Sequence, residues 1–261
     1  MKQSIADINT FLQQYFDKIL VISIERFKDR HEKINRRMQG IAFDFLWGVD
    51  KNTLDEDFIQ KNYVYLDNNF MAVRHRFPPM NKGEIACALS HLKAYSIMLE
   101  NDWKHILIFE DDIVPNNQHL HLFKNTIEEL PTDWDVCYFG YTKNTKATWP
   151  KKMKQFWYRI MCFFGASRMP AAMVKRTLPL PYGKYIAKAG FHDCTHAYAI
   201  SAKAARKMLA LQTPIHYRAD NAPAYLIMNG ELNAFISRTI FFDQEKFQDE
   251  NIESSVQENK K

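Results

Sequence analysis

Short apolar runs separated by amphipathic stretches set the rhythm of the chain. Lys18 to Ile24 is a run rich in β-branched residues, and Ile106 to Phe109 is a short apolar run. Ala42 to Trp47, Asp135 to Phe139 and Thr195 to Ile200 have the same character. Runs of about four to eight apolar residues bounded by polar or glycine positions predict buried strands. Between them, Ile5, Ile8, Phe11, Leu12 and Tyr15 recur near helical spacing, predicting a helix within residues 1–17. Arg30 to Met38 reads as a helix closed by Gly40. Asn81 to about Leu99 carries one apolar face of Ile85, Ala88, Leu89, Leu92, Tyr95 and Leu99. Gln118 to Leu130 is a further helix stopped by Pro131, and Ser201 caps an alanine-rich one over Ala202 to Leu211. A last helix opens at Asp220-Asn221-Ala222-Pro223.

Strand, helix and strand with short links are a βαβ start, so the economical fold is α/β with a mostly parallel sheet. Asp55 to Asn81 is less regular, and Phe77-Pro78-Pro79-Met80 forbids helix there. The expected organisation is an N-terminal helix over 1–17, a single domain over 18–242, and a polar tail over 243–261 that frays. No internal repeat or low-complexity block interrupts it.

Composition changes this picture in one place. The 261 residues include 35 Lys/Arg and 30 Asp/Glu, a net charge of +5. From Val136 to His192 there are eleven Lys/Arg and no acid, so the remainder carries 24 basic residues against 30 acidic ones. The positive charge is therefore concentrated in one segment, which predicts an anionic partner. Four cysteines, Cys87, Cys137, Cys162 and Cys194, include no C-x-x-C pair, the pattern of free thiols in a reducing compartment. No apolar run has the length to span a bilayer, and residues 1–16 lack the apolar core of a secretory signal. The expected location is cytoplasmic.

Candidate chemistry gathers behind one strand. Glu110-Asp111-Asp112 follows Ile106 to Phe109, and ligand crevices of open α/β sheets lie outside the carboxyl ends of strands. Carboxylates there can hold a hard divalent cation, or simply close the strand with an acidic turn. Glu84 and His91, seven residues apart, share a stripe at the edge of the helix before it. His192 and His196 have i,i+4 spacing with Cys194 between them, but the strand expected from Thr195 puts them on no helical face.

Four patches, in order, resemble glycosyltransferase family 25, the lipooligosaccharide galactosyltransferase-like group that includes the collagen galactosyltransferase domains. Ile22-Ser-Ile-Glu-Arg-Phe-Lys-Asp29-Arg30 is similar to the family's strand followed by N-L-x-R-x-x-D-R. Gly83-Glu-Ile-Ala-Cys-Ala-Leu-Ser-His91 is similar to G-E-[IL]-G-C-x-x-S-H, the most specific piece. Ile106 to Asp112 is similar to L-I-x-E-D-D, and Thr195 to Ser201 to T-x-A-Y-x-I-S. The similarity covers roughly Lys18 to Leu211. Ser23 replaces the usual Asn, Ala86 the usual Gly, and the basic segment has no counterpart.

The resemblance implies a GT-A-like nucleotide-binding sandwich and inverting transfer of a hexose from UDP-galactose or UDP-glucose to a glycan or glycolipid. It places the reaction in lipopolysaccharide, lipooligosaccharide or other surface glycan synthesis. Glu110 and Asp112 become the metal ligands of a DxD-type motif, for Mn2+ by preference or Mg2+, with Asp111 beside the donor. Glu25, Arg26, Asp29 and Arg30 meet the nucleotide, since Arg suits phosphate and Asp a ribose hydroxyl or uracil N–H. The alternative for these four is a solvated helical turn. Asp50 is a nucleotide contact or a turn residue, and Glu84 a donor contact or half of a capping box with Asn81. Ser90 and His91 contact the donor or pack against the metal loop, and His196 reaches the metal or diphosphate from the opposite wall. The general base is Asp220, whose alternative is a helix N-cap, with Asp193 as runner-up.

The basic aromatic insertion, about 141–190, admits three readings. Residues 150–165 are an interfacial helix on an anionic membrane, an active-site lid, or an ordinary surface insertion. The first makes the protein peripheral on the inner face of the plasma membrane. Competing functions are a metal-dependent phosphotransferase or nuclease and a non-catalytic sugar-nucleotide-binding protein. Few further carboxylates stand at strand ends to serve a nuclease, and no nucleic-acid partner is expected.

Overall fold

The computed structural model describes residues 5–66, 78–167, 169–192 and 195–247. Helix α1 (Ile5–Tyr15) leads into strand β1 (Lys18–Ser23), helix α2 (Lys28–Arg37) and strand β2 (Asp44–Trp47). Helices α3 (Glu56–Asn62) and α4 (Lys82–Glu100) precede β3 (His105–Glu110) and the short β4 (Ile113–Pro115). Helix α5 (Phe123–Glu128) and β5 (Val136–Gly140) follow, then α6 (Trp149–Phe163), α7 (Ala171–Val174), β6 (Leu180–Pro181) and β7 (Ile186–Lys188). The chain closes with β8 (Ala197–Ser201), α8 (Ala202–Leu211), α9 (Asn221–Asn229), β9 (Ala234–Ser237) and β10 (Phe242–Gln244).

Eight strands form one sheet in the order β2-β1-β3-β8-β5-β9-β7-β6. β1 runs parallel to β2 and β3, and β5 parallel to β9. β8 is antiparallel to both its neighbours, and so is β7. Six of the eight strands therefore point the same way, the mostly parallel α/β sandwich that the strand pattern predicts.

Period-two alternation explains why the central strands read as unbroken apolar runs. Leu20, Ile22, Ile106, Ile108, Tyr198 and Ile200 face a core shared with α4, α8 and α9. Ile19, Val21, Leu107, Phe109, Ala197 and Ala199 face the opposite core, filled from α1, α2 and α5. Both faces are covered, so polar positions were excluded from both. Ile8, Leu12 and Phe16 are buried in that second core, which makes the N-terminal helix an integral layer.

The structure differs from the sequence pattern in three places. The helix expected over Gln118 to Leu130 is a 3₁₀ turn at Leu120–Leu122 followed by α5 alone. The segment 141–190 is not wholly peripheral, because β7 pairs with β9 inside the main sheet. The polar tail expected from Asp243 holds regular structure as far as Phe247, and residues 248–261 lie outside the described residues. β10 pairs antiparallel with β4, and Glu245–Phe247 form a 3₁₀ turn. Glu245 is held by Lys33 at 3.0 Å and Arg37 at 2.8 Å, partners more than 200 residues away that no local pattern discloses.

Candidate active site

Four neighbouring strands bring their ends to one cleft of about 310 Å³. β1, β2 and β3 supply their carboxyl ends, and Thr195, two residues before antiparallel β8 begins, joins them. This is where a parallel sheet leaves strand-end backbone and helix openings facing a ligand.

At the end of β3 the three acids divide. Asp111 turns back into the protein, where Ser23 donates a hydrogen bond to Oδ2 and Arg30 Nη1 donates to Oδ1 at 2.8 Å. Glu110 and Asp112 turn to the other side and converge on one side-chain amide. Gln244 Nε2 donates to Glu110 Oε2 at 3.2 Å and lies 3.3 Å from both Asp112 carboxylate oxygens. Burial, then the charges of Glu110 and Asp111, raise the Asp112 carboxyl to about 7, against the pull of Gln244 and Arg30. Burial also pushes Glu110 upward, but His91, His196 and Lys246 more than offset it and leave Glu110 below the usual range. Two carboxylates packed this closely call for positive charge, and one neutral amide supplies little. Gln244 Oε1 is buried without a hydrogen-bond partner among the described residues. The two carboxylates are hard oxygen ligands of the kind a divalent cation takes, and Cys87 and His91 bring ligand atoms within 4.8 Å of Glu110.

Helix α4 forms the facing wall. Asn81 and Glu84 make a reciprocal capping box, and Arg218 grips the same Glu84 carboxylate through two nitrogens. One turn on, burial and then the charges of Glu110, Asp220, Asp112 and Glu84 push the Cys87 thiol well up in pKa. His91 Nδ1 lies 2.9 Å from the Tyr198 hydroxyl, itself 2.7 Å from that of Tyr95. Its Nε2 is buried without a hydrogen-bond partner among the described residues and faces Glu110 Oε1 at 3.6 Å. Thr195 Oγ1 donates to the same carboxylate oxygen at 3.3 Å. Glu110 is thus held from both sides, by His91 and Thr195 on one and Gln244 on the other.

A family model described as glycosyltransferase family 25 (LPS biosynthesis protein) matches residues 16–222, which includes every cleft residue named so far except Gln244 and Lys246. The chain belongs to that family. Among curated relatives, procollagen galactosyltransferase 2 of Homo sapiens is 27% identical over 134 residues, 48% of this chain and 21% of that protein. A putative glycosyltransferase of Haemophilus influenzae is 33% identical over 116 residues, 44% of this chain and 36% of that protein. The match thus spans about a fifth to a third of the length of these relatives. A crystal structure of a glycosyltransferase involved in glycosylation of the major capsid of PBCV-1 aligns with TM-score 0.41 and 9% identity, covering 87% of this chain and 91% of that one.

The family-25 patches meet at the cleft, with different parts facing it. Behind β1, Arg26 and Arg30 line it, while Glu25 and Asp29 are exposed and lie outside the lining. Arg26 makes a two-nitrogen ion pair with Asp50, so the first two strand ends are tied by charge. Asp50 also accepts from Asn52 N at 3.0 Å, which makes it a turn residue as well as a lining one. The Ser90 hydroxyl donates to Ala86 O at 2.7 Å and accepts from Val49 N at 2.8 Å. A side chain at Gly48 would meet that hydroxyl at 2.6 Å, so Ser90 and Gly48 together dock the β2 loop onto α4.

His196 is buried and is not in the cleft lining; its Nε2 lies 3.1 Å from the Phe242 carbonyl. Thr195, one residue earlier, stands on the wall in its place. His192 donates from Nδ1 to Lys143 O and accepts at Nε2 from Gly190 N, so both its ring nitrogens are engaged by backbone. Asp220 lines the cleft at the N-cap position of α9 and makes no side-chain capping bond. Asp193 lies outside the described residues.

Sequence reasoning missed Gln244 and Lys246, which line the cleft from what reads as a polar tail. It also passed over Arg218, whose one signal was a cation two positions before Asp220, and it took Cys87 only as a free thiol. Cys87, Cys137 and Cys162 are free thiols, and Cys194 lies outside the described residues. Among the described residues, no helix is long and apolar enough to cross a membrane.

Proposed function

We propose that this family-25 chain transfers a hexose, galactose or glucose favoured, from a UDP-sugar to a glycan hydroxyl with inversion. Lipopolysaccharide or another surface glycan is the favoured product. The observation that carries the reading is the convergence of Glu110 and Asp112 on one point beside two cleft-lining arginines. A divalent cation, Mn2+ favoured and Mg2+ possible, would be held by Glu110 and Asp112 and would supply positive charge against the diphosphate leaving group. Arg26 and Arg30 add fixed charge on the nucleotide side, each oriented by its own carboxylate. His91 and Thr195 keep Glu110 turned into the cleft.

Inversion by single displacement requires a base on the acceptor hydroxyl, opposite the leaving group. We assign that role to Asp220, the carboxylate that lines the cleft beside Arg218 where helix α9 begins. The names of the procollagen relatives favour galactose as the transferred sugar. A phosphotransferase or nuclease would use the same acids, and the assay separates the classes. Nucleoside diphosphate release is measured across a panel of sugar nucleotides with Mn2+, with and without EDTA. Release from a UDP-hexose that EDTA suppresses is expected. No release from any donor, or phosphate-ester cleavage lost with Asp112→Ala, would overturn the reading.

A further inference from the structure

Helix α6 buries none of its fifteen residues. Placed at ~100° per residue, Phe163, Phe156, Trp149, Ile160, Met153 and Trp157 form one continuous arc of about 120°. Its aromatic members are open to solvent: Phe163 is 85% exposed, Trp149 73%, Trp157 59% and Phe156 51%. Phe164, just past the helix, is 74% exposed. Arg159 and Lys152 stand on one margin of the arc and Lys154 on the other. The opposite side fixes the helix to the protein. Gln155 Nε2 donates to Val174 O at 2.9 Å and to Thr177 Oγ1 at 3.0 Å, and Cys162 Sγ to Met169 O at 3.2 Å. The outward aromatics are therefore presented by an anchored helix.

We infer that α6 is a docking helix for an anionic lipid surface, with its aromatic arc entering the headgroup boundary and its marginal cations meeting lipid phosphates. Charge decides the occupant. The 57 residues from Val136 to His192 hold eleven Lys/Arg and no Asp/Glu, so a second copy laid on this face would set cations against cations. An aromatic arc with cationic margins is the pattern of helices lying in a membrane interface. No α6 residue is among those that line the cleft, so α6 makes no contact here as a lid. The helix nevertheless connects to it. α6 rests on α7, and Arg176 Nη1 donates to Met228 O near the end of α9, the helix that Asp220 precedes. A docked α6 would hold the cleft near the bilayer, where a lipid-linked acceptor would be presented. The docking itself is independent of the chemistry assigned to the cleft.

The full-length protein is sedimented with vesicles of phosphatidylcholine alone and of equimolar phosphatidylcholine and phosphatidylglycerol. Binding to the anionic vesicles is expected at least ~10-fold tighter, and weaker as salt rises. Lys152→Glu with Arg159→Glu, and separately Phe156→Ser with Phe163→Ser, should each weaken it at least ~10-fold. Both pairs are surface changes and should leave the unfolding midpoint in place. Unchanged binding by both pairs, or none by the native chain, overturns the inference. So does a lipid-free dimer that the aromatic changes abolish, or retention on nucleic acid without vesicle binding.

Discussion

The α4 wall of the cleft and helix α6 are both helical and both hold aromatic and charged residues, yet they spend them in opposite ways. On α4, Glu84, Ser90 and His91 each have partners from distant parts of the chain, and His91 is only 2% exposed. On α6 the largest side chains point to water, and the polar anchors sit on the hidden side. Polar residues buried on a wall must be satisfied and become positioned; apolar residues exposed on a surface wait for a partner. The first arrangement suits chemistry and the second suits docking.

That contrast can be broken most sharply at Asp112. Asp112→Ala should cut nucleotide release at least ~100-fold while leaving the far-ultraviolet circular dichroism native. Retained turnover would make the acidic cluster a mere strand ending. Next comes Gly140, where an added Cβ would collide with the His196 ring and come within 2.5 Å of the Phe242 carbonyl. Gly140→Ala should cost about 1–3 kcal/mol in urea unfolding, and it should also lower turnover, because Phe242 leads into Gln244.

A third test uses His192, whose pKa burial pushes down to about 4, with the Lys143 carbonyl opposing. The folded form then holds fewer protons than the unfolded chain between pH ~6.5 and ~4. Stability from this group is complete above that window and is lost as pH falls through it. His192→Gln should flatten that part of the midpoint-versus-pH curve; an unchanged slope would assign it to other groups. The smallest effect is expected on α6, where Phe163→Ser should shift stability by no more than about 0.5 kcal/mol. A larger loss would mean that the exposed face is structural after all.

Much of the fold was legible locally. Apolar runs marked β1, β3, β5 and β8 to within a residue or two, and Asn81 and Ser201 marked helix starts that the structure confirms as side-chain caps. Where pattern and structure part, as at α5 and β10, the deciding contacts are long-range. Phe123 and Ile127 bury against the core without requiring a full helix, and β10 needs β4 as its partner.

The sequence by itself determined five of the strands, the acidic cluster behind one of them and the family, because side-chain periodicity and short motifs are local properties. It also gathered the positive charge into one segment. Which acids face the cleft, which arginines are paired and which histidine is withdrawn came from the tertiary structure. Gln244 stands between Glu110 and Asp112 although 132 residues separate it from the latter, and Lys33 and Arg37 hold the turn that carries it. A polar residue carries no pattern that says whether water or a distant carboxylate will satisfy it; only the packed chain decides.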